Sequence, residues 1–293
     1  MEQELANTLQ KLSEQDYVAD PEIAMSLYLM VKLNRPLLIE GEAGVGKTEI
    51  AKVLAKIKRA PFIRLQCYEG LDHHSALYEW NYQKQILHIR QSEHGNGSLE
   101  QKDGNIFGEE FLLKRPIVEA LTCDERCVLL IDEIDRSDEE FEALLLEVLA
   151  EHQVTIPEFG TVRARFEPYV VLTSNRTREL SDALRRRCLY LWIDYPEMSK
   201  ELEIVLRKVP GIRPELAEEI VHFIQNVRRE PLHKIPGVAE TIDWAMALRQ
   251  LGIVSLTEES VAMTAGCFLK DRDDVDAMRK GLVQRFVRKA NDL

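Results

Sequence analysis

The chain has 293 residues, 45% of them apolar and 30% charged, and 50 acids against 38 lysines and arginines leave a formal net charge of -12. Such a length and composition support one large α/β domain, or a medium domain with a smaller one, and the acidic balance argues against a main task of gripping nucleic acid. No apolar run approaches the ~20 residues needed to span a bilayer, and the opening MEQELANTLQ lacks the pattern of a secretory or transit peptide, so no membrane span and a cytoplasmic location are expected.

Reading along the chain, short and nearly continuous apolar runs predict strands at 36–40 (PLLIE), 62–67 (FIRLQC), 127–131 (CVLLI), 169–173 (YVVLT) and 189–193 (LYLWI). Runs of that kind suit strands buried on both faces of a parallel sheet. Helical stretches fall between them, KTEIAKVLAKIK from Lys47 and DEEFEALLLEVLAEH from Asp138. The alternation predicts a doubly wound α/β domain over 1–196. Within it, 71–107 fits neither pattern. The alternating piece YQKQILHIR and the polar, glycine-rich SEHGNGSLEQKDGN suggest an inserted hairpin or flap. Beyond Pro196 the pattern is almost wholly helical, punctuated by proline and glycine, and predicts a small all-α domain over 197–293.

The first strand runs into GEAGVGKT, Gly41 to Thr48, which satisfies G-x-x-x-x-G-K-[ST] in full and opens a helix. In that context Gly41, Glu42, Ala43, Gly44, Val45 and Gly46 form a loop whose N–H groups surround a phosphate chain, aided by the helix N-terminus. Lys47 then reaches the β- and γ-phosphates of ATP, and the Thr48 hydroxyl ligates Mg2+. A glycine-rich turn matching by chance is the bland alternative. CVLLIDEID ends a strand in adjacent acids. Asp132 is placed to hold Mg2+, directly or through water, and Glu133 to polarise the attacking water. Alone, the pair reads equally well as solvated acids in a loop.

Asn175, after YVVLTS, could orient that water or serve as an ordinary turn residue. Three arginines, Arg185 to Arg187, precede the last strand. They suit a helix C-terminus electrostatically, and they could also stabilise a transition state in cis or reach a neighbouring subunit's nucleotide in trans; spacing leaves these open. Five scattered cysteines, Cys67, Cys123, Cys127, Cys188 and Cys267, predict neither a disulfide framework nor a zinc set. His73-His74 reads as a polar loop, Cys188 as a strand start, and Trp192 and Trp244 as core or interdomain residues.

The P-loop, LLIDEID, LTSN and RRRC, followed by a helical segment, resemble an AAA+ ATPase module. The stretches YVADPEIAMSLYLMVKLNRPLLIEGEAGVGKTE, NRTRELSDALRRRCLYLWIDYP and ETIDWA resemble the CoxD-type members of the MoxR group. Those are associated with maturation of copper- and molybdenum-containing carbon monoxide dehydrogenase and related molybdenum hydroxylases. The resemblance implies a P-loop AAA+ sheet with helices on both faces and a small all-α lid. It also implies a homo-oligomer, a hexameric ring with nucleotide between subunits, and a separately encoded partner bearing a von Willebrand A domain.

It aligns Arg187 with the finger acting in trans, with Arg186 as the nearest substitute. QVTIPEFGTVRARF, 153–166, corresponds to a hairpin before the Asn-bearing strand, and the stretch from Tyr82 to Gly104 to the group's second-helix insert. One departure concerns the lid arginine of many such modules. The comparable position falls around Glu240 and Thr241, and Arg249 lies later on that helix. The expected function is an ATP-driven remodelling chaperone acting on a client metalloenzyme. A DNA-linked loader or initiator would need a basic surface, whereas Lys84, Arg90, Arg163 and Arg165 stand among acids. A metabolite kinase or nucleotide switch fits Asp132-Glu133 and the arginines less well than water attack does.

Overall fold

The computed structural model describes residues 2–71, 73–94 and 106–279. The glycine-rich loop expected before Gly104 and the end of the helical stretch from Thr257 lie largely outside the described residues. The chain begins with α1 (Glu2–Ser13), α2 (Pro21–Leu33), β1 (Leu37–Gly41), α3 (Lys47–Lys58) and β2 (Phe62–Gln66). Next come α4 (His73–Leu77), β3 (Tyr78–Trp80), α5 (Tyr82–His94), β4 (Leu112–Lys114), α6 (Pro116–Thr122) and β5 (Val128–Asp132). They are followed by α7 (Glu139–Glu151), β6 (Gln153–Ile156), β7 (Gly160–Arg163), β8 (Tyr169–Ser174), α8 (Asp182–Arg187) and β9 (Leu189–Ile193). The last helices are α9 (Met198–Lys208), α10 (Pro214–Val227), α11 (Val238–Gln250), α12 (Glu258–Thr264) and α13 (Arg272–Ala277).

Two compact units result. The first holds Met25–Glu40 and Ile50–Leu191; the second gathers the described residues up to Ala24, Gly41–Glu49 and those from Trp192 onward. The first unit is built on a five-stranded sheet in the order β2-β5-β8-β1-β9. β2 with β5, β5 with β8 and β8 with β1 pair in parallel, and Leu189 N–H donates to Pro36 O at 2.8 Å to set β9 at the edge. The expected strands are all present. β1 and β5 are buried throughout, and β8 all but so, whereas β2 and β9 alternate between buried and exposed positions. Each edge strand thus buries one face only. Trp192 on β9 is accordingly 37% exposed, unlike the fully buried Trp244. Because the strands run parallel, Glu40, Asp132 and Ser174 all end at one edge, the carboxyl side where ligands of such sheets bind.

The insertion corrects one expectation. YQKQILHIR is helix α5 and no part of a hairpin. Asn81 caps it, its Oδ1 accepting Lys84 N–H at 3.0 Å, and that local cap outweighs the weak alternation. The helix turns Gln85 inward, Nε2 donating to Ile106 O at 2.6 Å, and sets His88 edge-on to Phe111. Tyr82, Ile86, Leu87 and Ile89 face solvent, while Trp80 is buried against Tyr78 and Phe107. His73 and His74 open α4 and do not lie in a loop. Residues Gln153–Ile156 and Gly160–Arg163 form an antiparallel hairpin.

In the second unit α10 buries Leu216, Ile220, Val221, Phe223, Ile224 and Val227 along one face. Trp244 from α11 packs at centroid distances of 5.2 Å from Phe223 and 4.4 Å from Phe268, and its Nε1–H donates to Thr264 Oγ1 at 2.8 Å. Each such side chain contributes ~1.5–3 kcal/mol through removal of apolar surface from water. The stretch from Thr257 is not one long helix: α12 passes into a 3-10 turn at Ala265–Cys267, and Asp271 caps a new helix.

Candidate nucleotide site

In the second unit the loop Gly41–Thr48 joins β1 to α3. A side chain at Gly41 would place its Cβ 2.0 Å from Ile193 O, so no other residue fits. Gly44 and Gly46 take φ of +76° and +93°, a left-handed backbone that L side chains rarely adopt. The loop therefore curls back on itself, and Lys47, 7% exposed, donates from Nζ to Gly41 O at 2.8 Å and Glu42 O at 2.6 Å. Thr48 stands half-buried in the first turn of α3.

The N-terminus of α11 docks on this loop. Val238 N–H donates to Gly44 O at 3.0 Å, and a Cβ on Gly237 would lie 2.8 Å from Gly44 Cα. Glu240 folds back to accept Gly237 N–H at 3.0 Å, and the buried Thr241 hydroxyl donates to Glu201 Oε1 at 2.7 Å. Arg249 bonds Pro210 O, eleven residues along the helix and so ~16 Å from the docked end. It therefore lies away from the loop end of the helix. Behind Thr241, Arg228 grips Glu201 with two bonds of 2.6 and 2.7 Å, its side chain 6% exposed. Arg228 Nε–H also donates to Pro236 O, and Gln225 joins Glu201 to Pro196 O. This buried knot holds the Pro236-Gly237 turn. Burial, then the charges of Glu42 and others, pushes the Tyr195 phenol up, so it stays neutral; Arg228 stacks over its ring.

In the first unit the acids sit on the carboxyl edge of the sheet. Asp132, 2% exposed, accepts the Thr173 hydroxyl on Oδ1, and Thr173 Oγ1 in turn accepts Glu133 N–H at 2.9 Å. Arg64 of β2 donates to Asp132 Oδ2 from Nε at 3.0 Å and Nη2 at 2.6 Å. Glu133 takes a left-handed conformation, φ 55°, and its partly exposed carboxylate pairs with Arg136 at 3.1 Å. Asn175 N–H donates to the buried Asp135 at 3.2 Å, and its side-chain amide makes no hydrogen bond among the described residues. Asp135 also accepts Thr177 N–H and Oγ1–H at 2.8 and 2.7 Å.

The arginine run divides. Arg185 turns in to Glu40 at 3.2 Å, where Tyr190 OH donates at 3.0 Å and Arg176 lies at 3.8 Å. Arg186 and Arg187 are exposed; Arg187 Nη1 donates to Ala183 O of its own helix at 3.1 Å.

Residues 36–188, more than half of the chain, match the family described as AAA domain, dynein-related subfamily. The chain belongs to this family. Similar proteins include one from Staphylococcus epidermidis described only as uncharacterized, 25% identical over 290 residues, covering 96% of this chain and 100% of that one. Another, from Staphylococcus aureus, is 25% identical over 267 residues, 87% of this chain and 92% of the relative. Among solved structures, a point mutant of Thermotoga maritima RuvB gives a TM-score of 0.50 at 19% identity, covering 89% of this chain and 69% of that one. That likeness shows the AAA+ fold.

Membership implies nucleotide binding, typically with Mg2+, and ATPase activity. The residues of this AAA domain fit those groups. The loop leaves no room for a side chain at Gly41, and its lysine ammonium is held on the loop carbonyls of Gly41 and Glu42, beside which phosphate oxygens would bind. Thr48 in the one unit and Asp132 in the other each carry a hard oxygen donor of the kind Mg2+ prefers. When bound, Mg2+ would neutralise charge developing on the phosphates. Burial pushes Cys67 up to about 12, with the neighbouring acids adding to it, and pushes Cys188 up to about 12 despite Arg35 and Arg187. Both stay thiols, without nucleophilic character at neutral pH.

Sequence reading missed Glu40, Arg64, Asp135 and Thr173. The one available signal was a polar residue ending an otherwise apolar strand, as in LLIEG and VVLTSN.

Proposed function

We propose that this AAA domain protein is an ATP-hydrolysing remodelling chaperone of the MoxR type. Its client is a metalloenzyme such as a molybdenum hydroxylase of the carbon monoxide dehydrogenase kind, whose metal centre it helps to mature. It works in the cytoplasm as a hexameric ring with a von Willebrand A domain protein as partner. Residues 1–196 serve as the nucleotide-binding domain and 197–293 as the lid. In this reading Lys47 and Thr48 hold ATP and Mg2+, Asp132 holds Mg2+, Glu133 activates water and Asn175 orients it. Arg187, with Arg186 beside it, acts on the neighbouring subunit's nucleotide.

The observation that carries the reading is the division of the arginines. Arg185 is occupied by Glu40, whereas Arg186 and Arg187 stay exposed on α8, as a finger in trans requires. The apolar surface of α5 supports a protein target. Among the described residues no helix is long and apolar enough to cross a membrane.

Mixing tests the ring. Glu133→Gln and Arg187→Ala proteins should each hydrolyse ATP at least ~10³-fold more slowly than native. Mixed, they should recover activity, because one supplies the intact acid and the other the intact arginine. A mixture no more active than its components, with specific activity flat against protein concentration, would sink the trans assignment.

A further inference from the structure

Arg64 belongs to no motif, yet it takes hold of the Mg2+-binding carboxylate. On edge strand β2 it shares a face with Gln66, whose Cα pairs in register with Asp132. The guanidinium places Nε and Nη2 on a single oxygen, Oδ2, and Nη2 also meets Gln66 Oε1. Its side chain remains 45% exposed against 3% for Asp132. The other oxygen, Oδ1, is taken by Thr173.

A carboxylate buried to this degree is stabilised by a cation close by. Arg64 supplies it from the protein itself. A divalent ion bonds a carboxylate oxygen at ~2.0–2.1 Å and cannot share that lone-pair region with two N–H donors. An ion bound through water would still feel a positive guanidinium on its own ligand. Both arrangements have the same sign: the arginine and the metal compete for Asp132.

We propose that Arg64 is an internal counter-cation that keeps Asp132 ordered without metal and sets how strongly the site depends on Mg2+. The inference rests on the ATPase reading of Asp132. Its exposed side of the sheet edge gives Arg64 solvent to move into, and Gln66 gives it a hydrogen-bond acceptor on the same strand. Arg64 is a positioning residue, coupled to metal binding.

The test measures binding of N-methylanthraniloyl-ADP to the full chain by fluorescence, once in excess Mg2+ and once in EDTA. The dissociation constant in EDTA divided by that in Mg2+ reports metal–nucleotide coupling. Arg64→Gln should raise that ratio about tenfold, with the EDTA value within about twofold of native. Arg64→Lys keeps the charge, and with it the fold, but loses the two-toothed grip; it should raise the ratio about threefold. An unchanged or lowered ratio in a folded variant would overturn the proposal, the lowered ratio meaning that Arg64 holds Asp132 in place for the metal. Absence of nucleotide binding by the native chain, or binding that Lys47→Ala leaves unaltered, would instead remove the ATPase reading beneath it.

Discussion

Replacing Gly237 by alanine adds one methyl group where α11 meets the phosphate-binding loop. The backbone there, φ -83° and ψ -175°, is open to any residue, so the cost is purely steric. The new Cβ would stand 2.8 Å from Gly44 Cα and 3.0 Å from Ala43 O, both main-chain atoms that no rotamer change can move. Restoring ordinary contact requires the helix to retreat by roughly half an ångström. The Val238 N–H···O Gly44 bond, now 3.0 Å, then stretches toward the limit of usefulness. Overpacking costs ~1–3 kcal/mol and loss of the bond ~0.5–1.5, so about 2 kcal/mol of docking is expected to go. For a protein of this size that lowers the Tm by roughly 4–8 °C. Differential scanning calorimetry reads the shift, and fluorescent ADP binding should weaken in parallel as the loop loses its support. A Tm within about 1 °C of native together with unchanged ADP affinity would refute the docked arrangement of Gly44 and Gly237.

Arg228→Ala leaves the wholly buried Glu201 without its guanidinium and should cost ~3–5 kcal/mol by urea unfolding, whereas exchanging both residues for methionine should cost much less. Thr173→Val, nearly isosteric, deprives Asp132 of a donor and Glu133 N–H of its acceptor; a loss of ~1–3 kcal/mol and a lower kcat are expected, from denaturation and steady-state ATPase assays. The buried thiols predict an alkaline limit. Cys67, Cys127 and Cys188 are raised from 9.0 to about 12, so below pH 9 both folded and unfolded chains hold these protons and stability is unaffected. Between pH 9 and 12 the unfolded chain releases them first, and stability should fall as pH rises, by up to ~1.4 kcal/mol per unit for each thiol; triple Cys→Ser or Cys→Ala exchange should flatten that slope in pH-dependent unfolding. Iodoacetamide at pH 8 should label the half-buried Cys123 and Cys267 well before the other three, as read by mass spectrometry.

Much of the sheet was legible because it rests on local chemistry. PLLIE, CVLLI and YVVLT are apolar throughout, and only a strand covered on both faces uses such a run. GEAGVGKT is equally self-sufficient, since its glycines, lysine and threonine act within eight consecutive residues. YQKQILHIR misled because alternation over a few residues is weak evidence against a helix, and the deciding contact was a single Asn81 cap. Glu40 was missed, and Trp192 proves more exposed than a core residue, for a different reason. A strand's place in the sheet, central or edge, sets how its side chains are used, and composition does not encode that place.

The sequence by itself determined that this chain makes a parallel sheet, carries a phosphate loop and bears two acids at a strand end. Those features follow from neighbours in the chain. Tertiary structure decided which of three adjacent arginines turns inward to Glu40 and which two remain outside. It also brought Arg64 onto Asp132, 68 residues away, and set α11 against Gly44 so closely that only glycine fits at 237. Pairings of this kind depend on strand order and helix docking, because the residues meet only after the apolar core has chosen which faces to bury.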